Sequence, residues 1–208
     1  MPSPSEPSHY FDPAPSVGSR RRTVDLVLPE GRLVTLITDQ GVFSGDHVDP
    51  GTRLLIATAP PLDDARTLVD VGCGYGPIAI TMALRAAEDA TVWAVDVNER
   101  ARVLCAENAE ANGVGARVRV VAPEEVPDDL VADVVWSNPP IRIGKPALHA
   151  LLTGWFDRLA PDGTAVLVVQ RNLGADSLAR WIGEGGRPVV RLASRAGYRV
   201  LTVGGGDP

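Results

Sequence analysis

From Thr67 to the C terminus, short apolar runs alternate with longer stretches in which apolar residues recur at helical spacing. The runs Thr67–Val71, Thr91–Asp96, Arg117–Val121, Asp133–Ser137, Ala165–Gln170, Val189–Ala193 and Tyr198–Val203 predict strands. The intervening segments Gly76–Ala87, Asn98–Asn112, Pro146–Leu159 and Ala175–Gly185 predict helices. Asn112-Gly113 suits a helix terminus because both residues tolerate left-handed geometry. Such alternation is the mark of an α/β fold: a seven-stranded, mostly parallel sheet with helices on both faces. Only Ser194 to Gly197 joins the last two strands, which therefore read as an antiparallel hairpin at one edge. Upstream, Thr23–Leu28 and Leu33–Thr38 flank Pro29-Glu30-Gly31-Arg32, a hairpin signal, and Arg53–Ala59 reads as a short helix closed by Pro60-Pro61. Residues 1–19 are rich in Pro and Ser with almost no apolar periodicity. The expected division is a flexible tail over 1–22, a hairpin and short helix over 23–66, and the main domain over 67–208.

Composition narrows the class. At 208 residues, 45% hydrophobic and 22% charged, the chain can bury a substantial core. No apolar run reaches the roughly 20 residues of a membrane helix, and the first residues lack a signal peptide's basic and apolar regions. The expectation is a soluble, cytoplasmic protein with no membrane partner. Cys73 and Cys105 read as reduced thiols, and His9, His47 and His149 are too scattered for a metal site, so no metal is expected. The net charge of −6 argues against holding nucleic acid by bulk electrostatics. Its distribution qualifies that: residues 1–139 carry 11 Lys+Arg against 21 Asp+Glu (−10), and residues 140–208 carry 9 against 5 (+4). Arg20-Arg21-Arg22 reads either as a solvated run or as a contact to a polyanion.

The chemistry lies at strand ends. Asp70-Val71-Gly72-Cys73-Gly74-Tyr75-Gly76 closes the first main strand with Gly-x-Gly-x-Gly, which differs from the Gly-x-Gly-x-x-Gly of dinucleotide binders. The glycines allow a sharp turn and close approach of a ligand. Asp96 ends the next strand, 22 residues after Gly74, where a carboxylate can accept bonds from both hydroxyls of a ribose. An N-cap role toward the following helix is the competing account. Asn138-Pro139-Pro140 follows the fourth strand. An amine attached to a π-system is a poor nucleophile, so acceptors must hold its N–H bonds and turn its lone pair toward an electrophile. The Asn138 side-chain carbonyl and the Pro139 main-chain carbonyl could do so on a stiff turn, with catalysis mainly by orientation and electrostatics.

In order along the chain, Gly41-Val42-Phe43-Ser44, Asp49-x-Gly51-Thr52, Asp70 to Gly76 and Asn138 to Gly144 resemble the small-domain class I methyltransferases that act on guanine N2 of 16S ribosomal RNA. The resemblance covers roughly residues 23–203. It implies a Rossmann-like catalytic domain and S-adenosyl-L-methionine as cofactor. It also implies that Asp70, Gly72, Cys73, Gly74 and Gly76 hold the methionyl part, Asp96 with Val97 the ribose, and Ala122 to Glu125 the adenine. Phe43 and Thr52 lie in a segment closing over the cofactor, and Asn138, Pro139 and Pro140 orient the guanine 2-amino group. A single-stranded or flipped base follows from that target, with ribosomal RNA or a ribosomal particle as partner. Ile141, Arg142 and Lys145 would touch the substrate. Two departures stand out. Ile141 replaces an aromatic residue common after Asn-Pro-Pro, which keeps apolar contact but not stacking, and the RNA-binding N-terminal domain of well-known members is here only a tail and hairpin. Arg142, Lys145, Arg171 and Arg195 could substitute in part. The alternatives are another planar amine (a protein glutamine, an adenine or a small metabolite) and a cofactor-binding scaffold without catalysis.

Overall fold

The computed structural model describes residues 18–204; residues 1–17, most of the expected tail, and 205–208 lie outside the described residues. Two strands, β1 (Arg22–Val27) and β2 (Leu33–Thr38), pair antiparallel as the N-terminal hairpin. Val24, Leu26, Val34 and Leu36 point inward at period two. Helix α1 spans Pro50–Thr58 and begins earlier than the apolar pattern suggests. Asp49 caps it by accepting from Thr52 N at 2.9 Å, and Pro50 fills the first helical position, where no N–H is needed.

The main sheet follows the predicted order: β3 (Thr67–Val71), α2 (Pro77–Arg85), β4 (Thr91–Val95), α3 (Glu99–Ala111), β5 (Val118–Val121), β6 (Ala132–Ser137), α4 (Lys145–Phe156), β7 (Leu159–Gln170), α5 (Ala175–Glu184), β8 (Val189–Arg195) and β9 (Tyr198–Gly204). Strand β7 starts before the predicted Ala165, because Leu159 already pairs with Ala132 across an irregularity in the β6–β7 register. The sheet order is β5-β4-β3-β6-β7-β9-β8. The last hairpin forms the edge, with β9 antiparallel to both neighbours and inserted between β7 and β8.

Alternation along the strands divides the core into two layers. Leu68, Ala94, Trp136, Val166, Val168 and Val200 face a cluster shared with α2, α3, α1 and the N-terminal hairpin. Val69, Val95, Val135, Leu167 and Val203 face α4 and α5. The hairpin is also tied down by a polar contact. Buried Asn108 of α3 accepts from Ile37 N and donates to Ile37 O, each at 2.7 Å, and donates to Tyr75 O at 2.9 Å. Strand and glycine turn thereby share one side chain. Of the basic run, Arg21 bonds Glu107 at 2.8 and 3.0 Å, and Arg22 pairs with Asp46. Those two guanidinium groups are thus engaged with acids of the same chain.

Register sets where the strand ends lie. Val71 stands beside Val95 and Ser137, and Val95 beside Val121, so the residues after β3, β4, β5 and β6 share one rim. The chain steps outward from β3 to β5 and then restarts at β6 on the other side of β3. A crevice opens at that switch point. Because β9 runs the other way, its first residue, Tyr198, pairs with Gln170 at the end of β7 and joins the same rim.

Candidate active site

The crevice is a cleft lined by the β3 turn, the ends of β4 and β6, one face of α4, and Phe43 and Asp49 from the N-terminal segment. The turn is held to β4 by Gly72 N and Cys73 N, which donate to Val95 O at 2.8 and 3.1 Å. Gly72 and Gly74 have φ of +76° and +55°, and a Cβ on either would meet no protein atom within 4 Å. Both line the cleft, so their missing side chains leave space open to a ligand. Gly76 differs: its φ is +96°, and a Cβ there would stand 2.9 Å from Cys105 Sγ, so glycine serves the packing of α2 on α3. Cys73 is buried, and with Cys105 beside it and burial adding to the effect, its thiol is pushed well up.

Asp70 lies fully buried below the turn, apart from the cleft lining. Its Oδ2 accepts from Ala79 N at 2.9 Å, and its Oδ1 has no hydrogen-bond partner among the described residues. Burial pushes this carboxyl well above its usual range; the Ala79 N–H opposes the shift, and the Asp96 charge adds to it. A raised folded-state value means that the native protein binds the proton more tightly than the unfolded chain. Stability is therefore full below about pH 3.9, the unfolded value, and declines as pH rises through the folded value. Asp70→Asn removes that term. Its melting temperature relative to the wild type should climb with pH across this window and level off above it, as scanning calorimetry from acid to neutral pH would register; a constant difference would show that Asp70 does not titrate as its burial requires.

Asp96 sits at the mouth of the turn and lines the cleft. Its Oδ2 accepts from Gly74 N at 2.8 Å and its Oδ1 from Asn98 N at 2.9 Å. Burial raises this carboxyl, and the N–H groups of Asn98, Gly74 and Val97 with the Arg102 charge partly offset the rise. The cap of α3 is Asn98, which accepts from Ala101 N at 3.2 Å. Asp96 therefore does not cap that helix, and its carboxylate, with about four acceptor positions, keeps capacity for a further donor. Val97 and Phe43, 43% and 40% exposed, and Pro123 present apolar surface around the same space. Glu125 instead turns back to accept from Ala122 N at 2.6 Å.

At the end of β6, Asn138 Nδ2 donates to Asp49 Oδ2 and to Thr52 Oγ1, both at 3.0 Å. Both amide hydrogens are engaged by the scaffold, and no protein donor among the described residues reaches Oδ1. Pro139 O accepts from Ile141 N at 2.8 Å, which leaves one of its lone pairs. Pro139, Pro140, Ile141 and Arg142 all line the cleft. Lys145 begins α4 as an exposed residue beyond that lining. Thr52 is buried and belongs to an adjoining recess, in contact with Asn138.

Sequence reasoning did not place Asp49, Gln170 or Tyr198 at the site, nor Leu151, Trp155 and Leu173. Tyr198 Oη donates to Asp49 Oδ1 at 3.3 Å and accepts from Gln170 Nε2 at 2.9 Å. A local signal existed for Asp49, in Asp49-Pro50 at a helix start. For Tyr198 there was none, since its place depends on β9 entering the sheet antiparallel. Trp155 on α4 brings an indole to the cleft, where Ile141 lacks a ring.

Among the described residues no helix is long and apolar enough to cross a membrane, and no group of three or more His, Cys, Asp or Glu could hold a metal ion. The chain is 35% identical over 201 residues to the uncharacterized protein YbxB of Bacillus subtilis (strain 168), covering 93% of this chain and 96% of that one. It is 30% identical over 152 residues to the ribosomal protein L11 methyltransferase of Actinobacillus pleuropneumoniae serotype 3 (strain JL03), covering 73% of this chain and 47% of the relative. Among solved structures it superimposes, with a TM-score of 0.72 at 23% identity, on a T. thermophilus 16S rRNA N2 methyltransferase (RsmC) in complex with AdoMet and guanosine. That match covers 91% of this chain and 52% of the other. The chain thus spans nearly all of YbxB and about half the length of the other two. With the strand order and glycine turn of a class I methyltransferase, and a family model matching residues 33–202, this chain belongs to the methyltransferase small domain family.

Proposed function

We propose that this protein transfers a methyl group from S-adenosylmethionine to the exocyclic 2-amino group of a guanine in ribosomal RNA. The observation that carries the reading is Asn138: its amide hydrogens are engaged by Asp49 and Thr52, so its carbonyl is the atom left to accept an N–H from a ligand. The cofactor fits this chain's own residues. Gly72 and Gly74 leave space where side chains would stand, and Asp96 retains acceptor capacity. When bound, S-adenosylmethionine supplies an electrophilic methyl on a sulfonium. Asn138 Oδ1 and the remaining lone pair of Pro139 O would accept the two N–H bonds of the amine and turn its lone pair along the line of attack. Transfer would leave an extra proton on the nitrogen, which can pass to solvent, so this chain need supply acceptors that hold the amine and no strong base. The carbonyl dipoles favour the charge that develops on nitrogen. Phe43, Trp155 and Ile141 would give the planar ring apolar contact, while Arg142 in the cleft lining and exposed Lys145 at the start of α4 are cations that a phosphate chain could meet.

The L11 methyltransferase relative favours a second reading, in which the planar acceptor is an amide or amine of a ribosomal protein. Mass spectrometry of ribosomal RNA nucleosides and of ribosomal proteins, from cells with and without the gene, tests both. Loss of N2-methylguanosine is the expected result. An unchanged RNA profile with a methyl group missing from a protein would replace the first reading by the second.

A further inference from the structure

A side-chain amide presents nearly the same shape after a half-turn, so its role at a site depends on what fixes its direction. At Asn138 two neighbours are in reach, Thr52 Oγ1 and Asp49 Oδ2. A hydroxyl both donates and accepts, so Thr52 would satisfy either orientation. An ionised carboxylate only accepts, so Asp49 admits Nδ2 and excludes the amide oxygen. Turned the other way, Asn138 would present N–H groups to an incoming amine, donor against donor.

Asp49 is itself held from two sides. Its Oδ2 accepts Thr52 N as the cap of α1, and its Oδ1 accepts Tyr198 Oη, whose position Gln170 Nε2 fixes in turn. The ring of Tyr198 lies so close to α1 that a Cβ on Gly51 would stand 2.5 Å from Tyr198 Cε1. Glycine at that position is what lets the first turn of α1 meet the start of β9. Hydrogen bonds therefore run in one sense from Gln170 through Tyr198 to Asp49, where they meet the bond from Asn138.

We propose that Asp49 is a positioning residue for Asn138, fixing its amide with Nδ2 toward the scaffold and Oδ1 toward the cleft, and that Tyr198 and Gln170 hold Asp49 from the far wall. This rests on the reading of Asn138 as the acceptor for the substrate amine.

The test compares Asp49→Ser and Asp49→Asn with the wild type. Serine still caps a helix but cannot span from α1 to both Asn138 and Tyr198, whereas asparagine keeps a carbonyl acceptor facing Thr52 N and Asn138. Three quantities are read: the 15N–1H signals of the Asn138 side-chain amide, assigned by their loss in Asn138→Ala; the calorimetric affinity for S-adenosylmethionine; and kcat and KM on total ribosomal RNA from cells lacking the gene. For Asp49→Ser the amide signals should move or broaden, cofactor affinity should stay within about threefold, and kcat should fall on the order of 100-fold with KM little changed, the scale of losing one positioned transition-state contact. Asp49→Asn should keep the signals in place and hold kcat within about tenfold of the wild type. Amide signals unmoved in Asp49→Ser, or an equal loss of kcat in both variants, would overturn the proposal. If wild-type protein leaves ribosomal RNA unmethylated, the substrate reading fails by itself, and the amide signals still decide the role of Asp49.

Discussion

Asn138→Ala is expected to lower kcat on the proposed RNA substrate by about 10²–10³-fold, the cost typical of removing one preorganised hydrogen-bonding group from a reacting centre. Cofactor affinity should change little, because the proposed contact is to the amine and not to the nucleoside. The fold should survive, since Asn138 is half-buried and Asp49 keeps its bonds to Thr52 N and Tyr198 Oη. Single-turnover transfer of a labelled methyl group, with calorimetric titration of S-adenosylmethionine on the same sample, measures both terms. Full turnover in the variant would remove Asn138 from the mechanism. A matching loss of cofactor affinity would place it in the cofactor site instead.

Asp96→Ala should weaken S-adenosylmethionine binding by roughly 100-fold or more. Two hydrogen bonds from ribose hydroxyls to a carboxylate, each contributing about 1.5–3 kcal/mol, set that scale. The same substitution leaves Gly74 N and Asn98 N without their acceptor, so the glycine turn keeps its bonds to Val95 O but loses the one at Gly74, and the melting temperature should fall as well. Asp96→Asn separates the two effects, since its carbonyl can still accept one N–H while the charge is gone. Unchanged calorimetric affinity in Asp96→Ala would reject the ribose assignment.

The two predictions draw on information of different kinds. The acid at position 96 was legible because it ends a strong apolar run at a fixed distance from a glycine turn, and strand ends gather at one rim in any parallel sheet. Its competing role as a helix cap was also a fair reading of the same residues. The structure removes the helix-cap reading, because Asn98, two residues on, takes the Ala101 N–H, and the ribose reading stays a proposal. The glycines were legible as a set, yet they divide by function of place: Gly72 and Gly74 open on the cleft, while Gly76 faces Cys105. Thr52, which the resemblance puts in a segment over the cofactor, lies against Asn138, because the cap at Asp49 turns the first residues of α1 toward β6.

The sequence by itself determined the alternation of strands and helices, the family, the glycine turn and the Asn-Pro-Pro turn, because each is written in residues that are neighbours along the chain and act through local backbone geometry. The tertiary structure alone decided the direction of the Asn138 amide and the identity of what holds it. Asp49, Asn138, Gln170 and Tyr198 come from four separate elements and meet only after β9 enters the sheet antiparallel beside β7. Hydrogen bonds have a sense as well as a length, and that sense is set by which donors and acceptors long-range packing brings face to face.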